Sequence, residues 1–363
     1  LGAMASGAFS KGLSSYAQVS GDSRLKVWEV ASGAAAQEYT PTGKLAAELT
    51  CVSWCLSAPA SAAKPKKQQK AASLLGFGTA QGHVLLWDCA RGELKRALGG
   101  PEEGRTSRVN DVAFGAGGAT VYACTEDCQV TCWNTTTGEV SWSLSTGKQA
   151  CKRLAMHPDE DSVAAGGTAI KVWDLASQSS KRKYVGHASA VTCLRYSPDA
   201  RYLLSAAAGD RFISLWDASE GGTDKNTLMV FTTDSAPVCL DLPPAPSKGV
   251  LSFLAVAQSG SVGVWRVPAP SAKKKAKEGA APVAAQCRIS CEGKTDKVSQ
   301  AAFDSNGEVC VCRGSEALPL FERVSVDEGD DGLKETVLLS KREGGLLLSD
   351  KKAKKKSLGG DTQ

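Results

Sequence analysis

Four residues in the segment 186–217 have the types and the order that could form a chain of hydrogen bonds. They are His187, Ser205, Asp210 and Trp216. Asp210 lies in a predicted turn and can accept a hydrogen bond from His187. The imidazole can also form a hydrogen bond with Ser205, whose hydroxyl oxygen can accept the indole N–H of Trp216. A buried network of this kind is tolerable only when every member is satisfied. We therefore interpret the four residues as a structural tetrad.

Other residues that could catalyse a reaction or bind a metal are few and scattered. The chain contains only three histidines, which fall in different repeat units. This scatter disfavours a histidine-based catalytic triad or metal cage. Cys124, Cys128 and Cys132 have even spacing along strand-like sequence, whereas zinc needs ligands that converge from paired loops. We interpret them as buried, inert thiols. Common phosphate-loop, hydrolase and metalloprotease motifs are absent. The sequence predicts no enzyme, no metal site and no cofactor.

Strand-like segments that end in tryptophan recur along the chain. Six copies occupy residues 25–30, 84–89, 130–135, 170–175, 213–218 and 262–267. A seventh copy ends at Leu-Phe-Glu-Arg, with Phe321 expected in the tryptophan position. Further apolar strands lie upstream of most copies, separated by turn residues. A spacing of about 40–45 residues, together with Gly-His and Trp-Asp pairs, resembles the WD-repeat family. The predicted fold class is all-β, a seven-bladed WD-repeat β-propeller.

The repeats and the change in composition after them predict the domain organisation. Residues 1–340 are expected to form one propeller, with the segment ETVLLS (335–340) as the last outer strand of the seventh blade. Residues 341–363 are charged and glycine-rich, and they predict a disordered linker that leads to a further C-terminal domain.

Most repeats lack the complete tetrad. Gln81 and Thr168 replace the turn aspartate in the second and fourth units, whereas Asp22 and Asp127 remain in the first and third without a Gly-His pair. We therefore expect these blades to be held together mainly by apolar packing.

Composition excludes several classes of protein. The chain has 363 residues, a net charge of +5 and 42% hydrophobic residues. No apolar run approaches the roughly 18 residues of a membrane helix, and no secretory signal is visible. The odd number of cysteines, 13, favours reduced thiols in the cytosol or nucleus.

Lysine and arginine are concentrated in five segments. In a propeller, the loops from first to second strand and from third to fourth strand emerge on one face. Residues 57–72, 177–183, 219–226, 243–249 and 268–283 are all expected there, and together they hold thirteen basic residues and three carboxylates. The residues predicted to contact RNA or an acidic partner belong to three of these segments. They are Lys64, Lys66, Lys67, Lys70, Lys181, Arg182, Lys183, Lys273, Lys274, Lys275 and Lys277.

Two interpretations of these basic segments remain open. Clustered positive charge on one face is typical of a surface that binds a phosphate backbone. Alternatively, the lysines are solvated or serve as nuclear-import signals, which the runs at 273–277 and 351–356 would also suit. Both interpretations predict a nuclear protein.

The order of several segments resembles a narrower family, the WD-repeat subunits of the small-subunit processome. The segments are QEYTP (37–41), LTCVSW (49–54) before a Lys-rich insertion, LLGFGTAQGHVLLWD (74–88), VYACTEDCQVTCWNTTTGEV (121–140) and YVGHASAVTCL (184–194). The resemblance covers nearly the whole predicted propeller. It implies a nucleolar scaffold in early assembly and processing of pre-ribosomal RNA. It also implies partners: the 5′ external transcribed spacer and other propeller subunits.

Two other functions are compatible with the sequence. One is a WD-repeat adaptor that presents peptides to another complex, such as a ubiquitin ligase or chromatin machinery. It would need a basic and aromatic pocket at the mouth of the central channel, on the face opposite the Lys-rich loops. The other is a propeller enzyme, which would need histidines or carboxylates that converge at the channel. No small-molecule substrate is expected.

Overall fold

The regular structure of the chain consists of β-strands grouped into seven sheets. The structure is a computed structural model and describes residues 6–10, 12–55, 74–148, 150–219, 227–245, 248–270, 283–291, 297–315, 318–326 and 334–338. Apart from strands, these residues form three single 3-10 turns, at Gly43–Leu45, Pro101–Glu103 and Ala116–Gly118. No helix in these ranges is long and apolar enough to cross a membrane.

The first four blades are four-stranded antiparallel sheets made of strands consecutive in sequence. Blade 1 contains β1 (Ser6–Phe9), β2 (Ser15–Val19), β3 (Leu25–Glu29) and β4 (Ala35–Tyr39). Blade 2 contains β5 (Leu49–Trp54), β6 (Leu74–Thr79), β7 (His83–Asp88) and β8 (Glu93–Gly99). Blade 3 contains β9 (Val109–Phe114), β10 (Thr120–Thr125), β11 (Gln129–Asn134) and β12 (Val140–Ser145). Blade 4 contains β13 (Arg153–Met156), β14 (Ser162–Gly166), β15 (Ile170–Asp174) and β16 (Ser180–Tyr184).

Blade 5 follows the same pattern, whereas blades 6 and 7 depart from it. Blade 5 contains β17 (Val191–Tyr196), β18 (Tyr202–Ala207), β19 (Phe212–Asp217) and β20 (Met229–Thr232). Blade 6 contains β21 (Pro237–Asp241), β22 (Val250–Ala257), β23 (Val262–Pro268) and β24 (Cys287–Cys291). Blade 7 contains only β25 (Val298–Phe303), β26 (Val309–Ser315) and β27 (Leu318–Val324). The last strand, β28 (Lys334–Leu338), belongs to the sheet of blade 6. The seven-bladed propeller predicted from the repeats is confirmed.

Burial explains why the second and third strands of each blade are the most apolar. Each blade packs between two neighbours, so both faces of its middle strands are covered. All six residues of β6 and of β18 are buried. The outer strands β8 and β12 instead consist mostly of exposed and half-buried residues, because only one of their faces packs on the ring. Continuous apolar runs therefore mark the middle strands of the blades.

Aromatic packing joins the first blade to the last. Phe321 on β27 lies 6.1 Å from Phe9 and 5.5 Å from Tyr16, measured between ring centroids. The same cluster includes Trp28, Cys310 and other apolar side chains of the two blades. Side-chain packing therefore closes the ring within the described residues.

The predicted outer strand of blade 7 is wrong. Residues 334–338, which overlap the segment ETVLLS, pair parallel with β24 and form a fifth strand of blade 6. The edge of β27 therefore has no strand partner among the described residues. The propeller strands run from Ser6 to Leu338. The predicted linker, residues 341–363, lies outside the described residues and stays a prediction.

Strand register also corrects the assignment of Phe321. In blade 5, Trp216 pairs with Leu203, which pairs with Tyr196 at the end of the inner strand. The equivalent row of blade 7 runs from Phe303 through Val309 to Val324. Val324 therefore occupies the tryptophan position. Phe321 lies on the opposite face of β27, which packs against blade 1. The motif alone does not reveal this shift of three residues.

Some turns admit only glycine. Gly82, before β7, has φ of +86°, and a Cβ atom there would lie 2.2 Å from the backbone oxygen of Arg105. That carbonyl belongs to the connection that leads into blade 3, so the close approach helps to set how blades 2 and 3 pack.

Candidate functional site

The four tetrad residues are brought together by four separate elements of one blade and its entry. His187 precedes β17, Ser205 is on β18, Asp210 is in the following turn and Trp216 is on β19. His187 Nδ1 lies 2.7 Å from Asp210 Oδ2, and His187 Nε2 lies 2.7 Å from Ser205 Oγ. Trp216 Nε1 donates to Ser205 Oγ over 2.7 Å. A neutral imidazole with its proton on Nδ1 satisfies all three bonds.

The environment of the tetrad is closed. Side-chain exposure is 2% for His187 and 6% for Asp210, and Ser205 is fully buried. The Phe212 ring stacks on the imidazole at 5.8 Å, and Tyr184 packs on Trp216 at 5.3 Å. In a catalytic triad, a serine, a histidine and a carboxylate are linked in this order, and the histidine activates the serine hydroxyl as a nucleophile. Here the serine oxygen accepts the indole N–H and has no contact with solvent, so the arrangement links strands and does not offer a reactive group.

Other tryptophans find different partners. Trp87 Nε1 donates to Gln37 Oε1 on the outer strand of blade 1 over 2.7 Å, and Trp265 Nε1 donates to the backbone oxygen of Val283 over 3.3 Å. Three indole N–H groups in the described residues are buried without an acceptor; they belong to Trp28, Trp133 and Trp173. These blades hold their tryptophans mainly by apolar contacts.

Only three of the eleven predicted contact residues lie in the described part of the chain. Lys181, Arg182 and Lys183 were expected in a loop, but they are on the outer strand β16. The other eight fall in residues 56–73 and 271–282, outside the described ranges. Whether any of the eleven binds RNA stays a prediction.

Lys181, Arg182 and Lys183 differ in the polar contacts that their side chains make. Lys181 Nζ lies 3.1 Å from Asp161 Oδ2. The Arg182 guanidinium donates to the backbone oxygens of Asp217, over 3.3 Å, and Ser219. Lys183 is exposed. Arg182 therefore joins blades 4 and 5, and Lys183 is the most available of the three for an external anion.

The ends of the two Lys-rich segments emerge on one face of the ring. Residues 56–73 connect the first and second strands of blade 2, and residues 271–282 connect the third and fourth strands of blade 6. Consecutive strands in a blade are antiparallel, so these two kinds of connection leave the sheets at the same end. Tyr202 Oη donates to the backbone oxygen of Pro270 over 2.7 Å, and Val283 pairs with Phe231 on β20. The second segment is therefore anchored on blade 5 at both ends.

On the same face, a cavity of about 230 Å³ lies between blades 4 and 5, which the sequence did not predict. The His157 ring meets Tyr196 edge-on at 5.0 Å, and His157 Nδ1 lies 3.1 Å from Asp161 Oδ1. Burial alone would raise the pKa of Asp161, but hydrogen bonds from Ser162 and Lys181 outweigh it and hold that pKa below its usual value. Carboxylates and cations contribute equally to the lining: Asp159, Asp161, Asp199, Lys181, Arg182 and Arg201. This balance does not favour phosphate.

Most of the cysteines are buried, nine of the thirteen. Burial raises the pKa of Cys51 and of Cys310 to about 12. A thiol that stays protonated is a poor nucleophile and a poor metal ligand. Within the ranges that the structure describes, no group of three or more His, Cys, Asp or Glu side chains could hold a metal ion.

One carboxylate between the inner strands was also missed. Asp241, at the end of β21, accepts the backbone N–H of Phe303 in blade 7 over 2.8 Å. Burial raises its pKa to about 6, although this hydrogen bond acts in the opposite direction. The only signal in the sequence was an aspartate at the end of an apolar strand, which also occurs in ordinary turns.

Comparisons with known proteins support the repeat assignment. The profile of the family "WD domain, G-beta repeat" matches residues 92–134 and 178–217. WD repeat-containing protein 43 of Homo sapiens is 29% identical over 64% of this chain, which spans 37% of that protein. Transducin beta-like protein 3 of Bos taurus is 34% identical over 31% of the chain and 15% of its own length.

The chain thus spans well under half the length of these relatives. A chain of the structure titled "Crystal Structure of Mitotic Checkpoint Complex" has the same fold, with a TM-score of 0.62 at 16% identity, and the match covers 86% of this chain and 85% of that one. The matched repeats, the seven blades and the buried tetrad agree on the fold class, an all-β, seven-bladed WD-repeat β-propeller.

Proposed function

We propose that this propeller is a non-catalytic scaffold of the small-subunit processome and acts in the nucleolus during early assembly and processing of pre-ribosomal RNA. It binds other propeller subunits and contacts the phosphate backbone of the 5′ external transcribed spacer. The resemblance in segment order supports this proposal. The match to human WD repeat-containing protein 43 is consistent with it, because it extends over 64% of the chain and not over isolated repeats.

The observation that carries the proposal is the common face of the two Lys-rich connections. Residues 56–73 and 271–282 hold eight of the eleven predicted contact lysines and leave blades 2 and 6 at the same end. Positive charge that extends from one end of a ring suits a polyanion longer than a single pocket. The balanced cavity between blades 4 and 5 does not add to this charge.

A non-catalytic role agrees with the chemistry of the described residues. The one Ser–His–Asp arrangement is sealed inside blade 5. Burial raises the pKa of Cys51 and of Cys310 to about 12, so these two thiols stay protonated at neutral pH.

Crosslinking in living cells followed by sequencing of the attached RNA tests the proposal. We expect enrichment of the 5′ external transcribed spacer. Changing Lys64, Lys66, Lys67 and Lys70 together to Ser should reduce crosslinked RNA several-fold. A control variant changes three lysines, Lys44, Lys148 and Lys297, to Ser, since these lie in connections between blades on the opposite face. Equal loss in the control, or RNA unrelated to ribosomal precursors, would contradict the proposal.

A further inference from the structure

The cavity between blades 4 and 5 lies on the same face as the two Lys-rich connections. Its walls include residues of the turns between the first and second strands of these blades, 157–161 and 197–201, and of the outer strand β16. A volume of about 230 Å³ accommodates a group much larger than an ion. The second Lys-rich connection begins beside it, because Tyr202, the neighbour of Arg201 in the chain, holds the backbone oxygen of Pro270.

Most polar side chains of the cavity wall are already engaged with one another. Asp161 accepts Lys181 Nζ over 3.1 Å with one carboxylate oxygen, and its other oxygen lies 3.1 Å from His157 Nδ1. The Arg182 guanidinium donates to backbone oxygens of blade 5. These bonds fix the wall, and the His157 ring is held edge-on to the Tyr196 ring at 5.0 Å. The cavity therefore has a preformed aromatic lining.

Two charged side chains that line the cavity are not engaged in this way. The Asp159 side chain is 77% exposed, and its contact with His157 Nδ1 is long, 3.9 Å. Arg201 is exposed, and its guanidinium lies 5.7 Å from the centroid of the Tyr202 ring without an ion pair to any described carboxylate. A free acceptor and a free donor beside aromatic rings suit a neutral planar ligand that has both donors and acceptors. A phosphate would instead be repelled by Asp159.

An unpaired base of single-stranded RNA has these properties. Such bases stack on aromatic side chains and form hydrogen bonds along their edges. Of the RNA bases, only guanine combines two adjacent donors, N1–H and the 2-amino group, with two adjacent acceptors, O6 and N7. A carboxylate can accept from the donor pair, and an arginine can donate to the acceptor pair in a bidentate manner.

We propose that the cavity between blades 4 and 5 binds one unpaired guanine of a single-stranded RNA. Asp159 accepts from N1–H and the 2-amino group, Arg201 donates to O6 and N7, and the rings of His157 and Tyr196 contact the base. This inference rests on the proposed function, in which the Lys-rich connections bind the RNA backbone. It adds a base preference that the lysines by themselves do not provide.

Oligouridines of about ten nucleotides, with and without one central guanosine, test the base preference. Fluorescence anisotropy with the full chain should show about tenfold tighter binding of the guanosine-containing RNA. Replacing the guanosine by adenosine or cytidine should remove this gain. Equal affinity for all of these RNAs, or a preference for another base, overturns the proposal.

Asp159→Ala separates a base contact from a general effect of charge. Removal of a negative charge strengthens contacts with phosphates, whereas loss of the base contact weakens binding. We expect the affinity for the guanosine-containing RNA to fall several-fold and the affinity for plain oligouridine not to fall. Tighter binding of both RNAs by the variant overturns the role of Asp159 and the proposal with it.

Arg201→Ala should also abolish the preference for guanosine. Arg211→Ala is the matched control, because Arg211 is an exposed arginine of the same blade in the turn at its opposite end. Equal effects of the two variants overturn the assignment. Thermal unfolding of each variant verifies that both remain folded.

The lysines of residues 56–73 distinguish this proposal from the wider function. Changing them to Ser should weaken binding of both RNAs and leave the ratio of their affinities unchanged. A lysine effect without any guanosine preference leaves the scaffold function standing and overturns the cavity assignment. Absence of RNA binding by the full chain contradicts both.

Photo-crosslinking in cells identifies the ligand of the cavity directly. A photoreactive residue at position 159, with position 211 as the control, should attach to RNA at or beside a guanosine. Attachment to protein alone would mean that the cavity binds a polypeptide and would overturn the proposal.

Discussion

Trp216 and Ser205 are joined by a hydrogen bond of 2.7 Å that no other blade reproduces in the residues described here. The bond connects the third strand of blade 5 to the second, and through His187 and Asp210 it reaches both turns at one end of the blade. Blade 5 is therefore held by polar bonds as well as by packing, whereas its neighbours rely mainly on packing. Loss of one member leaves the others buried without partners.

Trp216→Ala should lower the free energy of unfolding by about 3–5 kcal/mol, because it removes a large buried ring. Asp210→Ala should cost about 1–3 kcal/mol, since it leaves one imidazole nitrogen unpaired. Thermal and urea unfolding measure both. Trp216→Phe is the control that keeps most of the ring and deletes the N–H. Wild-type unfolding of Trp216→Ala would refute the structural role of the tetrad.

Arg182 and Lys183 are neighbours on β16 with opposite expected effects. Arg182→Ala should destabilise the protein by about 1–3 kcal/mol, because its donors bridge to backbone oxygens of blade 5. Lys183→Ala should stay within about 0.5 kcal/mol, because its side chain is exposed. Urea unfolding of the two variants compares them directly. Equal stabilities would mean that Arg182 does not join the two blades.

Asp241 should make stability depend on pH. Its pKa in the folded protein, about 6, is above the ordinary value of 3.8. The folded state therefore holds the proton more tightly, so stability is greatest below about pH 4 and falls as pH rises to about 6. The expected loss is about 1–3 kcal/mol, because one pKa unit corresponds to about 1.4 kcal/mol and the carboxylate keeps some solvent contact.

Asp241→Asn keeps an oxygen for the N–H of Phe303 and removes the titration. The difference in unfolding free energy between wild type and this variant should change between pH 4 and pH 6 and stay constant above pH 7. A difference that does not vary with pH would show that the carboxyl has an ordinary pKa in the folded protein.

Repeats and turn residues were sufficient to predict the fold. Each blade is a short-range unit, and its apolar strands and the turns between them are visible in the sequence. The tetrad partners could be proposed because the Gly-His and Trp-Asp pairs bracket one blade. Register is different: Phe321 and Val324 are both apolar, and only pairing with β26 decides which one faces blade 6.

Contacts between residues that are distant in the sequence could not be predicted either. Lys334–Leu338 could pair with either neighbouring outer edge, and local sequence does not distinguish them. Arg182 resembled a solvated loop residue in a Lys-rich segment, whereas its role depends on carbonyls about 35 residues away. Contacts of that kind depend on how blades pack.

The final prediction concerns RNA binding by the isolated chain. Lys64, Lys66, Lys67 and Lys70 lie outside the described residues, in a connection without aromatic side chains. Without stacking platforms for bases, the segment should contact phosphates and show little sequence preference. Each neutralised phosphate releases counterions, so affinity should fall steeply as salt rises.

Changing these four lysines to Ser should weaken binding to unrelated RNAs to a similar extent and reduce the slope of log affinity against log salt. Stability should not change, because exposed charges contribute little to folding. Filter binding across a salt series, beside thermal unfolding of each variant, makes the comparison, with the Lys44, Lys148 and Lys297 variant as the control. If the slope stays at its wild-type value, these lysines do not bind RNA, and nuclear import becomes the better account of the segment, because an import signal needs the same charge but makes no contact with nucleic acid.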